Sequence, residues 1–230
     1  MGLKIAVTSI LQNPLQSLID KPKNPLLDIS TFNDLYIFEP RNQSGVDIVI
    51  PDTVGSAVTL SQTTPANRPT PTGQYLTIGN DNNDSRGVIT SQSITFRELF
   101  VVCQYSLSTF DNFATIISGT GSLGAKRIMG SDGTNDLVTS SSINDSGLVR
   151  INNAAETATD IIPFDLSVLH SCTDFTTPLD ISDTVTIGYN SDNASRAWQG
   201  LLGVMIFSRI ALDNTQRQEI VDAMRDYHNI

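Results

Sequence analysis

The stretch that decides the fold is Leu201-Leu202-Gly203-Val204-Met205-Ile206-Phe207-Ser208-Arg209, followed after Ile210-Ala211-Leu212 by Asp213-Asn214-Thr215-Gln216. As far as Phe207 it is apolar at odd and even positions alike, broken only by Gly203. A strand of that kind has no face to give to water and must be covered on both. Asp213 supplies an acceptor for the first free N–H groups of a helix, and Gln216 stands at the capping-box position. Ile220, Ala223, Met224 and Tyr227 then fall on one stripe at helical spacing. This predicts a single amphipathic helix over 213–228, packed on the strand layer that precedes it.

Upstream, short runs rich in β-branched and aromatic residues recur between clusters of Gly, Pro, Asn, Asp and Ser. They predict strands over 35–38, 46–50, 57–60, 75–78, 88–90, 96–105, 114–117, 127–129, 137–139, 148–152, 158–162, 167–172, 185–189 and 201–209. No helical segment intervenes and no longer period repeats, which excludes a βαβ fold, a propeller and a solenoid. The expectation is an all-β, two-sheet antiparallel jelly-roll sandwich with one C-terminal α-helix. Its length of 230 residues suits a single large sandwich over 32–230. Residues 1–31 read differently. Leu3, Ile5 and Val7 alternate with Lys4, Ala6 and Thr8, and Pro14, Pro22 and Pro25 punctuate the rest of the segment. This is an extended N-terminal arm, with Leu3, Ile5, Val7, Leu11 and Leu15 as its candidate attachment residues, suited to adding to a sheet edge or lying on a neighbouring subunit.

Composition narrows the function. Fourteen Lys and Arg against 24 Asp and Glu give a formal net charge of −10, so a phosphate-tracking surface is excluded and no nucleic-acid partner is expected. The apolar runs are too short for a membrane span, which argues against membrane insertion.

Several motifs occur in an order that resembles LamG-like, concanavalin A-like lectin and glucanase domains of the kind found in phage virion proteins. Gln62-Thr63-Thr64-Pro65-Ala66-Asn67-Arg68-Pro69-Thr70 is similar to the segment before the first sandwich strands. The apolar run 96–105 and Ala114-Thr115-Ile116-Ile117-Ser118-Gly119 resemble a strand and its partner. Val185-Thr186-Ile187-Gly188-Tyr189, Trp198-Gln199-Gly200 and the strand and helix after them resemble the closing segment. The likeness covers roughly 32–230 and implies the jelly-roll fold. Val204 stands where many relatives carry an acid, so any role of that carboxylate is missing here.

Some relatives of this fold hydrolyse glucans with two carboxylates about 5 Å apart on one strand face. Glu39, Glu98, Glu156 and Glu219 are scattered and form no such set, and Asp132 and Asp136 fall in turn sequence, so no catalytic residues are predicted. Gly119-Thr120-Gly121-Ser122-Leu123-Gly124 matches a dinucleotide-loop pattern but leads into a predicted strand, not a helix, and reads as a hairpin loop. His170 and Cys172 would share a strand face, with Cys103 as a third group. They read as buried thiols beside a partly exposed histidine, and no metal site is predicted. Asn80-Asp81-Asn82-Asn83-Asp84 and Asn190-Ser191-Asp192-Asn193 are oxygen-rich loops that leave Ca²⁺ open as the one cofactor to consider. Tyr189, Asn190, Asp192, Arg196 and Trp198 gather aromatic, amide, acidic and basic groups around one loop, the mixture that a glycan-binding site uses.

Two functions are expected on these grounds. The first is a non-enzymatic virion structural protein, assembled in the host cytoplasm, that decorates or cements a phage capsid or tail. It would contact capsid or tail proteins and sister copies of itself through the arm and the sandwich. A lone domain of this kind with no secretion signal fits delivery by phage lysis. The second is a carbohydrate-binding adhesin that meets a host-surface glycan through the loop around Tyr189 and Trp198.

Overall fold

The computed structural model describes residues 24–44, 47–79, 86–106, 114–120, 127–131, 137–138, 148–154, 163–172, 181–190 and 196–230. Among these the strands form two seven-stranded antiparallel sheets and one two-stranded ribbon. The first sheet runs β12 (Leu148–Ile151), β13 (Ser167–Cys172), β8 (Glu98–Tyr105), β16 (Gly200–Ser208), β5 (Tyr75–Ile78) and β4 (Thr70–Thr72), and β1 (Leu35–Phe38) pairs with the far half of β16. The second runs β11 (Leu137–Val138), β10 (Arg127–Ser131), β9 (Thr115–Gly119), β15 (Val185–Ile187), β6 (Val88–Thr90), β3 (Thr59–Gln62) and β2 (Ile48–Pro51). The ribbon joins β7 (Ile94–Phe96) to β14 (Ile181–Asp183). The expected strand at 158–162 lies outside the described residues.

The two large sheets pack face to face. Leu99, Val101, Cys103, Met205 and Phe207 of the first meet Ile50, Leu60, Val88, Ile117 and Ile187 of the second in one buried cluster. The helix α1 (Asn214–His228) lies on the other face of the first sheet, over Phe100, Val102, Val168, Val204 and Ile206. Hence β8 and β16 are apolar on both sides: on β8, and on β16 from Val204 onward, odd residues serve the inter-sheet core and even residues the core under the helix. The capping box forms as the sequence predicts, with Asp213 accepting from the Gln216 backbone and Gln216 accepting from that of Asp213 at 2.9 Å.

β16 carries one irregularity. Leu202 pairs with Cys103 and Met205 with Val101, so three steps on β16 match two on β8. This bulge at Gly203-Val204 lets both faces stay apolar across the register shift.

The boundary of the arm moves. Residues 24–31, which the sequence assigns to it, are packed: Leu26 and Ile29 are buried in the cluster beneath α1, and the backbone N–H of Ser30 donates to Glu219 at 2.7 Å. Asn24 caps a short 3-10 turn, Pro25–Asp28, by accepting from Leu26 N–H. Two apolar side chains set three residues apart on that turn outweigh the prolines that made the segment read as extended. Leu3, Ile5, Val7, Leu11 and Leu15 lie outside the described residues.

Candidate functional site

The densest polar constellation among the described residues lies beneath α1. Glu98 opens β8 on the face that carries Phe100 and Val102, at 1% exposure. Arg217, in the first turn of α1, clamps its carboxylate from two of its three nitrogens, Nε to Oε2 and Nη2 to Oε1, each at 2.8 Å. His170 on β13 donates from Nε2 to Oε2 at 2.8 Å, and the Leu212 N–H donates to Oε1 at 2.9 Å. The His170 ring lies flat on Phe100, centroids 4.1 Å apart and planes 5° apart, with no exposure. The expected partly exposed histidine is therefore buried, because register pairs it with Phe100 under the helix.

Charge state follows from these contacts. Burial alone pushes the Glu98 carboxyl up, but the hydrogen bond from Arg217 and then that from His170 outweigh it and hold it at about 2. Burial holds the His170 imidazole below its ordinary value despite the neighbouring carboxylate, so it is a neutral donor at pH 7. The group is an ionised carboxylate, a bidentate guanidinium and a neutral imidazole, all desolvated. Such an arrangement resists proton exchange and fixes geometry.

The other end of α1 has a second anchor. Glu39, just past β1, accepts from the Tyr227 hydroxyl at 2.9 Å, from Thr53 Oγ1 at 2.9 Å and from Asn24 Nδ2 at 3.4 Å, and pairs with Arg41 at 2.9 Å. Burial, then the Glu39 charge, pushes the Tyr227 phenol well up, so it stays a donor. His228 accepts on Nε2 from the Val204 N–H at 3.3 Å and stacks on Tyr75 at 5.0 Å. The bulge explains this bond: a residue extra to the ladder leaves its N–H without a strand partner, and the imidazole takes it. Gly203 permits the approach, since a Cβ there would stand 2.9 Å from the His228 ring.

The residues singled out as a glycan site separate. Trp198 is fully buried, its ring edge-on to Tyr105 at 5.0 Å, behind a glycine whose Cβ would strike the Gln104 carbonyl at 1.9 Å. A ring with no exposure cannot stack on a pyranose, so Trp198 belongs to the core and not to a glycan platform. Asn190 is also buried, Tyr189 is half-buried over Gly87, and Arg196 is half-buried. Asp192 lies outside the described residues, as do 80–84, 121–124 and 191–193, on which the calcium loops and most of the glycine-rich loop fall.

Cys103 is a free, buried thiol on the inter-sheet face of β8, whereas His170 projects to the helix face, so those two cannot share an ion. Among the described residues no group of three acidic, cysteine or histidine side chains is placed to hold a metal.

Sequence reasoning named Glu98 only as a scattered acid and passed over Arg217. One signal was present: Arg217 precedes Ile220, Val221 and Met224 on the apolar stripe of the helix, where an arginine must find a buried partner. Compared with known protein families and with curated proteins, the sequence matches none.

Proposed function

We propose that this protein is a non-enzymatic structural subunit of a phage virion, a LamG-like, concanavalin A-like jelly roll. It decorates or cements the capsid or tail through its N-terminal segment and its sandwich surface. Capsid or tail proteins and sister copies are its partners, and assembly takes place in the host cytoplasm. The observation that carries this reading is the commitment of the buried acid–base groups. Glu98, held at about 2 by Arg217 and His170, has no proton to give at neutral pH, and its oxygens are filled by donors. His170 is sealed beneath α1 with its Nε2 engaged. These side chains hold a helix to a sheet, which suits a particle component selected to stay rigid.

The order of LamG-like motifs along 32–230 supports the family assignment, and two antiparallel sheets packed face to face with a terminal helix agree with it. The adhesin reading through Tyr189, Asn190, Asp192, Arg196 and Trp198 loses its aromatic platform with the burial of Trp198.

The test is particle association. Full-length protein and a form starting at Asn24, which keeps every described packing contact, are mixed with native particles, sedimented and imaged by electron microscopy. The expected result is incorporation of the full-length chain and loss of incorporation, with an unchanged melt, for the shortened one. Equal incorporation of both forms, or glycan hydrolysis by the purified protein, overturns the reading.

A further inference from the structure

We propose that one flank of the sandwich is closed to strand addition, and that the closure keeps the chain's own N-terminal segment off these edges and open to a partner. The inference rests on the reading of that segment as the attachment element. Leu3, Ile5 and Val7 alternate as strand residues do, and residues 1–23 join the sandwich at Asn24. Asn24 donates to Glu39, just past β1, and lies beside Gln74 in the β4–β5 turn. Fully extended, residues 1–23 reach roughly 75 Å, against roughly 24 Å from the first to the last of six strands side by side. An edge that offered free N–H groups here would be within reach of the segment itself.

β1, β2 and β4 share this flank: Phe38 bridges to Asp52, and the 3-10 turn Pro40–Asn42 packs on both β2 and β5. In an antiparallel ladder alternate residues bond to the neighbouring strand and those between them face away from it. On β4 the turn Gly73-Gln74, with Gly73 at φ 63°, makes Thr72 and Tyr75 the closing pair, so Thr70 and Thr72 bond inward and Pro71 faces out. On β2 the Asp52 N–H donates to the Val58 carbonyl at 3.2 Å, so Val49 and Pro51 face out. On β1 the Asp34 carbonyl accepts from Arg209 N–H at 2.9 Å, so Leu35 and Ile37 face out.

Each outward position is closed. Pro51 and Pro71 have no N–H to give. The Leu35 N–H donates to the Phe32 carbonyl of the preceding 3-10 turn. The Ile37 N–H donates to the buried Asp52 carboxylate at 2.8 Å, and the Ile37 carbonyl accepts from Thr53 N–H at 2.8 Å. Val49 is bridged to Ser44, whose N–H donates to the Val49 carbonyl at 3.0 Å. Among the described residues this flank therefore offers no N–H to an incoming strand. The two prolines are exposed and stand where the ladder needs no donor, so they close the edge without a cost to the fold.

The experiment is hydrogen exchange read by mass spectrometry on the full-length parent, the double variant Pro51→Ala/Pro71→Ala and the control Thr70→Ala, each also mixed with native particles and sedimented. The double variant restores two outward N–H groups at exposed positions, whereas the control alters an exposed side chain of β4 and no outward N–H. In the isolated parent and control, peptides covering residues 3–8 are expected to exchange at the rate of an unpaired chain. In the double variant they are expected to slow about tenfold or more, and incorporation into particles to fall with them. The proposal is overturned if the parent already protects residues 3–8, if the double variant exchanges at the parent's rate, if the control slows as the double variant does, or if a slowed double variant incorporates as the parent does. Absence of incorporation by the parent overturns the virion reading alone, because exchange reads the edge without particles.

Discussion

At its N-terminal end α1 is held to the sheet by charge, through the Arg217 guanidinium on the Glu98 carboxylate with His170 beside it. At its C-terminal end it is held by a neutral imidazole on a β-bulge and by the Tyr227 hydroxyl on Glu39. Both ends rest on the same face of the same sheet, yet they fail differently. The charged end is all-or-none, since removing one partner strands the other in a desolvated site. The C-terminal end, where the helix contributes only the neutral His228 imidazole and Tyr227 hydroxyl, is graded and depends on how closely backbone and ring approach.

The charged end gives the largest expected effect. Arg217→Met leaves Glu98 buried without its counter-ion and should cost about 3–5 kcal/mol in urea unfolding. Converting Glu98 and His170 as well, to Leu and Phe, should return most of that loss, because a packed apolar triad of similar volume is about as stable as the ionic one. If the single and triple variants lose equally, the comparison breaks.

At the C-terminal end Gly203→Ala puts a Cβ 2.9 Å from the His228 ring and 3.0 Å from Val102 Cβ. Overpacking of this kind costs about 1–3 kcal/mol. Amide exchange should accelerate in the last turns of α1 and not in the first, which stays clamped by Arg217. Uniform acceleration along the helix would show that the two ends are one unit.

The smallest effect is a pH dependence. Burial, and then the charge of Arg41, hold His228 at about 4 against an ordinary 6.5, and it must stay neutral to accept from Val204. With the folded value below the unfolded one, its contribution is complete above 6.5 and is lost as pH falls through 4. The melting temperature should therefore decline over that window. His228→Gln, whose carbonyl can still accept from Val204, should flatten part of the decline, and His170, also held down by burial, keeps the rest. An identical slope in parent and variant would remove His228 from the account.

The sequence reveals the strand 201–209 and the helix after it because each is set by local pattern: an unbroken apolar run, a capping box and a stripe at helical spacing. It does not reveal β4, where Thr70-Pro71-Thr72 is a polar edge strand exposed at all three positions, nor β14, whose Ile181-Ser182-Asp183 is too short to show a period. The run 96–105 reads as one strand, but the chain leaves the ribbon at Phe96 and joins the sheet at Glu98. Trp198 shows a deeper limit: an aromatic beside a glycine reads the same as a binding platform and as a core residue, and only the opposing Tyr105 decides. The Glu98 cluster joins residues 72 and 119 positions apart, a spacing no local motif records.

The central claim, that the buried ionic cluster is architecture and not a reaction centre, is tested most directly by urea unfolding of Glu98→Gln. The substitution keeps the shape and removes the charge. The account predicts a midpoint well below that of the parent, because Arg217 is left buried without its counter-ion. Working sites usually cost their fold stability, so an unchanged or raised midpoint would contradict the account and point to a site kept for chemistry.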